Sequence, residues 1–132
     1  MDEKALKSIP LFASLSKSER RQVASCTDEV EVPEGKVLVN EGDFAYEFFV
    51  IEEGTAGVLR AGERVAELGP GDFLGEMGAI ERVPRNATVV AQSPMKVVVM
   101  TAREFRHIES EMPAVAQQIR DAIAARSAAL TG

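Results

Sequence analysis

The sequence predicts a mainly β domain with helices before and after the strands, and three observations support this class. Between residues 28 and 100, short runs rich in valine, isoleucine and phenylalanine alternate with turn residues at near-regular spacing. Before and after this stretch, apolar residues recur at helical spacing instead. The chain has 132 residues, which suits one domain around a single hydrophobic core. Many short strands at such spacing indicate a sandwich or a closed roll.

The first predicted element is a short amphipathic helix over residues 16–24. Ser16 is a favoured N-cap residue, and Glu19 follows three positions later, which is the spacing of a capping box. Val23 and Cys26 fall on one face of this helix, so Cys26 is expected to be a small core residue.

The β region contains seven predicted strands. They are separated by turns in which glycine supplies backbone conformations that other residues avoid. The strands cover residues 29–32, 37–40, 48–52, 55–60, 63–68, 87–91 and 96–100, and the turns fall at residues 33–35, 41–43, 54, 61–62 and 69–71.

Two helices are predicted after the last strand. Residues 102–110 form the first, and Pro113 stands where the first turn of a helix favours proline, opening a second helix over residues 114–129. Apolar residues recur along this second helix at helical spacing, namely Val115, Ile119, Ala122, Ile123 and Leu130. The predicted layout is one domain, residues 1–132, with an N-terminal helical segment (1–27), a β region (28–100) and C-terminal helices (101–132).

The segment 71–88, GDFLGEMGAIERVPRNAT, holds the candidate site. Its three glycines leave the backbone without Cβ atoms where it turns and approaches a ligand. Residues 76–80 are typical of a single helical turn, whose first N–H groups lack internal partners and lie at the positive end of the helix dipole. Arg85 offers a planar fork of donors that matches two phosphate oxygens. The pattern predicts a site for a small phosphate ester.

Glu76 lies nine positions before Arg85 and needs a different role, because a phosphate repels a carboxylate. It can accept hydrogen bonds from hydroxyl groups, and a ribose carries hydroxyl groups next to its phosphate. Each residue alone also fits a simpler interpretation, Glu76 as an acidic first-turn residue and Arg85 as a solvated surface arginine. Their combination in one segment favours a nucleotide site.

Residues 73–80, FLGEMGAI, followed by residues 84–89, PRNATV, resemble the phosphate-binding cassette of cyclic-nucleotide-binding domains. The resemblance extends over most of the chain, through residues 10–12, 41–42, 48–51 and Gly54. It implies an eight-stranded jelly roll, or double-stranded β-helix, that the helical turn of the cassette interrupts.

The resemblance implies a role for each cassette residue. Glu76 would hold the ribose 2′-hydroxyl, Arg85 the cyclic phosphate, and the backbone N–H groups of Gly78 and Asn86 the phosphate oxygens. The expected ligand-contacting set is Gly75, Glu76, Met77, Gly78, Ala79, Arg85, Asn86 and Ala87. Asn86 departs from the alanine, serine or threonine that is common after the arginine in this family, so the base preference is left open. The ligand expected from the resemblance is cyclic AMP, with cyclic GMP as the alternative.

The sequence allows more than one packing arrangement for the C-terminal helix. In the resembling family it acts as a lid over the base and often as a dimer contact, so a homodimer through this helix is one expected arrangement. The expected base contacts are Arg120, Arg126, Ser127 and Thr131. The simpler alternative is a helix packed on its own roll.

The composition of the chain argues against several classes of function. The formal net charge of −6 argues against direct binding to nucleic acid or to an acidic membrane surface. No apolar run approaches the roughly 20 residues of a membrane span, and the first residues do not begin a signal peptide. Cys26 is the single cysteine, so a cytoplasmic location is expected. His107 is the single histidine, expected on a helix surface, so neither a metal site nor a catalytic acid–base pair is predicted.

The sequence therefore predicts a stand-alone cyclic-nucleotide receptor that needs no cofactor and signals to an effector protein by repositioning its C-terminal helix. No output module such as a helix-turn-helix is expected from the residues that follow the predicted helices. A regulatory subunit that acts on a separate effector chain is a close alternative. A protein-interaction module that binds no nucleotide is another, and the Glu76 and Arg85 pair argues against it. An enzyme such as a phosphodiesterase would need further metal ligands or an acid–base pair.

Overall fold

The computed structural model describes residues 3–42, 47–74 and 87–121. In these ranges three short helices come first, two four-stranded sheets follow, and two helices come last. This order matches the predicted succession of helix, strands and helices.

The N-terminal segment contains three helices where the sequence predicts one. They are α1 (Glu3–Lys7), α2 (Pro10–Ala13) and α3 (Lys17–Ala24). The predicted helix is α3, and its capping box is formed: the Glu19 N–H donates to Ser16 Oγ at 3.1 Å, and the Ser16 N–H donates to Glu19 Oε1 at 2.8 Å. Helices of five and four residues are too short to show a period, and α1 and α2 rely on tertiary packing through the fully buried Leu6 and Phe12.

A buried ion pair holds α1 against α3. Arg20 is 8% exposed, its Nε donates to Glu3 Oε1 at 2.7 Å, and its Nη1 donates to the Leu15 carbonyl oxygen at 2.5 Å. A buried guanidinium is costly unless its donors are satisfied. These contacts therefore specify where the first helix lies.

In the part of the chain that the structure describes, eight strands form two antiparallel sheets. In chain order they are β1 (Asp28–Val32), β2 (Val37–Val39), β3 (Glu47–Glu53), β4 (Ala56–Arg60), β5 (Glu63–Leu68), β6 (Phe73–Leu74), β7 (Thr88–Ala91) and β8 (Met95–Thr101). Sheet A has the order β1-β8-β3-β6, and sheet B has the order β2-β7-β4-β5. The sequence predicts seven of the eight to within one residue at each end. The exception is β6, because a strand of two residues carries no alternating pattern.

Glycine occupies the left-handed backbone region in each predicted turn, at Gly35, Gly42, Gly54, Gly62 and Gly71. Gly54 is also required by close packing. At φ +91°, a Cβ on this residue would lie 2.5 Å from the Pro94 carbonyl oxygen and 2.9 Å from Met95 Cα. The turn between β3 and β4 therefore passes against the start of β8 with no room for a side chain.

Sheet A separates two hydrophobic cores. The roll core lies between the sheets and consists of Val32, Val39, Phe49, Ile51, Ala56, Val89, Ala91, Met95, Val97 and Val99. The helix core lies on the other face of sheet A and consists of Leu6, Ile9, Phe12, Leu15, Val23, Ala24, Val50, Phe73, Val98, Met100, Phe105, Ile108, Val115, Ala116 and Ile119. Successive residues of β3 and β8 point to opposite faces, so these two strands contribute to both cores. The layers are helices, sheet A and sheet B.

The C-terminal helices follow the predicted pattern in the described ranges. The first, α4 (Ala102–Glu111), begins at a capping box between Thr101 and Glu104. A second helical stretch, here called α5, covers residues 113–121 and has Pro113 in its first turn. Val115 and Ile119 of its predicted apolar stripe are buried in the helix core, and the remaining stripe residues, Ala122, Ile123 and Leu130, lie outside the described residues.

Two single residues also lie where the sequence predicts them. Cys26 is half-buried against the helix core, and His107 is exposed on α4. No helix in the described ranges is long and apolar enough to cross a membrane. The mainly β class with flanking helices and a two-sheet roll is confirmed, and the single-domain layout stays a prediction.

Candidate functional site

The predicted cassette joins the two sheets. It leaves sheet A after β6 and enters sheet B at β7, which lies between β2 and β4. Residues 75–86 connect these strands and lie outside the described residues, as do the predicted contacts Gly75, Glu76, Met77, Gly78, Ala79, Arg85 and Asn86. Ala87 is described and is 6% exposed. The described residues therefore form the two ends that hold the site.

The turn that leads into the cassette is attached to β3 by backbone hydrogen bonds. The Gly71 N–H donates to the Ile51 carbonyl oxygen, and the Ile51 N–H donates to the Asp72 carbonyl oxygen, both at 2.8 Å. Within the turn, Asp72 Oδ2 accepts from the Gly69 N–H at 2.9 Å and the Asp72 N–H donates to the Gly69 carbonyl oxygen at 3.0 Å. Gly71 has φ +89°, which a side chain would disfavour. The cassette thus begins from a position that the sheet specifies.

The exit of the cassette is held by one glutamate. The Glu41 N–H donates to Thr88 Oγ1 at 2.9 Å, and Glu41 Oε1 accepts from the Ala61 N–H at 3.0 Å. Ala61 and Gly62 have φ values of 52° and 81°, which suits the tight turn between β4 and β5. Thr88 lies opposite Leu59 on β4, next to that turn. Glu41 therefore joins the loop after β2, the end of the cassette and the tip of a hairpin.

This Glu41 link is absent from the sequence-based interpretation. The sequence places Glu41 in a turn and Thr88 at the end of the cassette, but 47 positions separate them and no spacing rule connects them. The one local signal is a threonine at the start of an otherwise apolar strand, where a hydroxyl group needs a partner.

One predicted base contact is engaged elsewhere. Arg120 forms an ion pair with Glu109, and its guanidinium carbon lies 5.3 Å from the centre of the Phe105 ring. Both contacts join α5 to α4. To reach a nucleotide base, Arg120 would have to leave Glu109, and a base contact by Arg120 stays a prediction. Arg126, Ser127 and Thr131 lie outside the described residues.

One carboxyl group close to the turn before the cassette has a raised pKa. Burial raises the pKa of Glu52, and a hydrogen bond and repulsion from Glu29 raise it further, to about 7. Glu52 follows Ile51, whose backbone holds the turn before the cassette. Among the described residues, no group of three or more histidine, cysteine, aspartate or glutamate side chains could hold a metal ion.

A family model for the cyclic nucleotide-binding domain matches residues 29–111, which is more than half of the chain. The chain belongs to the cyclic nucleotide-binding domain family.

Particular relatives agree with this assignment. A cAMP-dependent protein kinase regulatory subunit from Hypocrea atroviridis is 31% identical over 108 residues, which are 82% of this chain and 23% of that subunit. This chain thus spans less than a quarter of the length of that curated relative. A candidate cyclic nucleotide-binding protein from Geobacter metallireducens has a crystal structure with a TM-score of 0.86 at 22% identity, covering 98% of this chain and 97% of that one.

A third protein with the same fold belongs to a kinase that is described as independent of cAMP. The regulatory subunit of a cAMP-independent protein kinase A from Trypanosoma brucei superposes with a TM-score of 0.80 at 24% identity, over 94% of this chain and 43% of that chain. Because both structural neighbours are below 25% identity, they show the shared fold alone.

Proposed function

We propose that this chain is a receptor for a cyclic nucleotide, with cyclic AMP as the first candidate and cyclic GMP as the second. In this proposal Glu76 accepts the ribose hydroxyl and Arg85 pairs with the cyclic phosphate. The backbone N–H groups of Gly78 and Asn86 bind the phosphate oxygens. Family membership and the attached ends of the cassette support the proposal.

We further propose that the bound nucleotide is reported through the C-terminal helix. The observation that carries this step is the position of Phe73. It lies in β6, where the cassette begins, and it is buried in the same helix core as Val115 and Ile119 of α5. Because a packed core does not deform continuously, a displacement of the cassette that moves Phe73 changes the packing against α5.

The output in this proposal is a protein partner rather than a reaction. The relative from Hypocrea atroviridis is a kinase regulatory subunit, and by analogy the surface changed by α5 would be recognised by an effector chain. The net charge of −6 supports a protein partner over nucleic acid. A homodimer through the C-terminal helix is a further arrangement that stays a prediction.

A second candidate is an interaction module on the same roll that binds no cyclic nucleotide. The observation that favours it is the Trypanosoma brucei neighbour, which shares the fold and is described as cAMP-independent. Glu76 and Arg85, which could hold a ribose and a phosphate, favour the receptor.

Thermal unfolding with added ligands separates these candidates. A ligand that binds only the folded state stabilises it by about 2.7 kcal/mol when present at 100 times its Kd. The receptor proposal predicts a rise in the midpoint with cyclic AMP or cyclic GMP and a smaller rise, or none, with 5′-AMP. An unchanged midpoint with both cyclic nucleotides would favour the interaction module. Chromatography of the same mixtures is expected to recover the cyclic nucleotide intact.

A further inference from the structure

A small cavity lies between the N-terminal helices and the turn that leads into the cassette. Its volume is about 200 Å³, and it is lined by Ser8, Ile9, Ile51, Glu52, Pro70 and Gly71. Glu52 is the one carboxyl group in this lining. Ionisation of a buried carboxyl group is costly in free energy, so the groups around Glu52 determine whether it carries a charge.

Glu52 occupies an irregular position in sheet A. Ile51 pairs with Val97 and Glu53 pairs with Lys96, so Glu52 is the extra residue of a β-bulge on β3. Its Oε1 atom is buried and has no hydrogen-bond partner in the described part of the chain. A buried acceptor without a partner destabilises the fold, and it does so more strongly when the group carries a charge.

The groups around Glu52 favour its neutral form. Burial disfavours the ionised form most, and Glu29 on β1 raises the pKa of Glu52 further through hydrogen bonding and repulsion. Glu53 adds further repulsion, and Lys96 on β8 opposes it in part. Burial is the largest cause, and together these effects raise the pKa of Glu52 to about 7.

Among the described residues that line the cavity, none carries a positive charge. The link between α1 and α2 contributes Ser8 and Ile9, and the turn contributes Pro70 and Gly71. The adjacent Asp72 is a further acid, and its Oδ2 accepts from the Gly69 N–H at 2.9 Å.

The bulge is joined directly to the cassette. Ile51 immediately precedes Glu52, and its N–H and carbonyl oxygen form the two 2.8 Å hydrogen bonds to Asp72 and Gly71 that hold the turn. A change in the bulge therefore acts on the backbone at Gly71 and Asp72, which lie four and three residues before Gly75.

We propose that Glu52, whose Oε1 atom is buried without a partner at the bulge, carries a proton in the folded protein, and that loss of this proton loosens the turn over residues 69–72 against β3. The bulge at Glu52 is then a pH-sensitive contact at the start of the binding cassette. The geometry that supports it is the bulge, the buried Oε1 atom, the cavity and the paired hydrogen bonds at Ile51.

The test is a pH titration of the nucleotide-free protein followed by NMR. The Gly71 amide and the Glu52 side-chain carboxyl carbon are expected to titrate together with a midpoint of about 7. Glu52→Gln copies the neutral form of Glu52. In this variant the Gly71 amide is expected to stop titrating and to keep its low-pH chemical shift at every pH. Glu29→Gln is expected to lower the Glu52 midpoint towards the ordinary value of 4.5, because the hydrogen bond and the repulsion from Glu29 are weakened or lost.

Glu53→Gln is the matched control, since it removes a neighbouring acid whose effect on Glu52 is smaller than that of Glu29, and it is expected to retain most of the titration. A Gly71 amide that is flat from pH 5 to 9 would overturn the proposal. A Glu52 midpoint near 4.5 in the unmodified protein, or one that Glu29→Gln leaves unchanged, would overturn it as well.

The consequence for ligand binding rests on the proposed function. Affinity for cyclic AMP is expected to be higher at pH 6 than at pH 8 by roughly fivefold, a typical lower bound for coupling between sites, and Glu52→Gln is expected to remove the difference. Absence of binding at both pH values would count against the proposed function. The NMR titration would still show whether Glu52 carries a proton and whether its loss affects Gly71. Equal affinity at both pH values would contradict the coupling.

Discussion

At the scale of single residues, Glu41 shows how the roll positions the end of the cassette. Its backbone N–H and its carboxylate hold Thr88 and Ala61, which come from two other parts of the chain. The cassette therefore ends at a point determined by three loops, which reduces the conformational freedom that ligand binding would otherwise have to remove.

The two charged residues of the cassette are expected to differ in importance. Arg85→Ala should weaken cyclic AMP binding by about 2–5 kcal/mol, because it leaves a phosphate charge without its partner. Glu76→Ala should cost less, about 1–3 kcal/mol, since a ribose hydroxyl is neutral. Calorimetric titration of each variant measures both values.

Arg21→Ala is the control for this pair, because Arg21 is an exposed arginine on α3 and its loss changes the net charge equally. Its affinity should match that of the unmodified protein. If Arg85→Ala bound cyclic AMP as tightly as this control, the assigned phosphate contact would be wrong.

At the scale of elements, the turn after β3 depends on a close backbone contact. Gly54→Ala should destabilise the fold by about 1–3 kcal/mol through backbone strain alone, with a further loss from the contact with Pro94 and Met95. Gly62→Ala is a matched control, since Gly62 also has a positive φ but no atom lies within 4 Å of its added Cβ. Urea unfolding should show a larger loss for Gly54→Ala, and equal losses would contradict the packing argument.

Helix α5 is the element expected to move when the ligand binds. With Cys26 replaced by alanine, spin labels at the exposed positions Gln118 and Glu34 should report a change in their separation on addition of cyclic AMP. Phe73→Leu should retain nucleotide binding but reduce this change, because the smaller side chain transmits less of the cassette displacement to the helix core. The ligand can shift the helix only by its differential affinity for the two positions.

Pulsed electron resonance gives both distance distributions. Identical distributions with and without saturating cyclic AMP would contradict a signal carried by α5. An undiminished change in Phe73→Leu would instead place the connection outside Phe73.

The elements also show why sequence reasoning succeeds in some places and stops in others. Turns were predictable because glycine marks a positive φ, as at Gly35 and Gly71, and α3 was predictable from its capping box. The strand β6 and the helices α1 and α2 were not, because elements of two to five residues form through tertiary contacts. The candidate site was identified from the cassette residues themselves, whereas its Glu41 support depends on a contact between distant residues.

At the scale of the whole molecule, stability is expected to depend on pH through Glu52. Its pKa is raised from 4.5 to about 7 in the folded state, so the native state binds its proton more tightly than the unfolded state between these values. The free energy of unfolding should therefore fall as pH rises through this window. Above it, the contribution of Glu52 to this free energy should be constant. Denaturant unfolding of the unmodified protein and of Glu52→Gln at pH 5, 6, 7 and 8 measures the difference. A variant with the same pH slope as the unmodified protein would contradict this assignment.

The two hydrophobic cores of the fold have different neighbours. The roll core is enclosed by the two sheets, whereas the helix core combines residues of the N-terminal and C-terminal helices with Phe73, where the cassette begins. In the proposed receptor, a ligand at the cassette would act on the helices while the roll keeps its packing.

The most direct test of a cyclic-nucleotide receptor is calorimetric titration of cyclic AMP into the purified protein, repeated with cyclic GMP. A receptor predicts saturable heat with one ligand per chain for at least one of the two, and a much weaker response to 5′-AMP because the cyclic phosphate is absent. No saturable binding of either cyclic nucleotide by a folded protein would contradict the account.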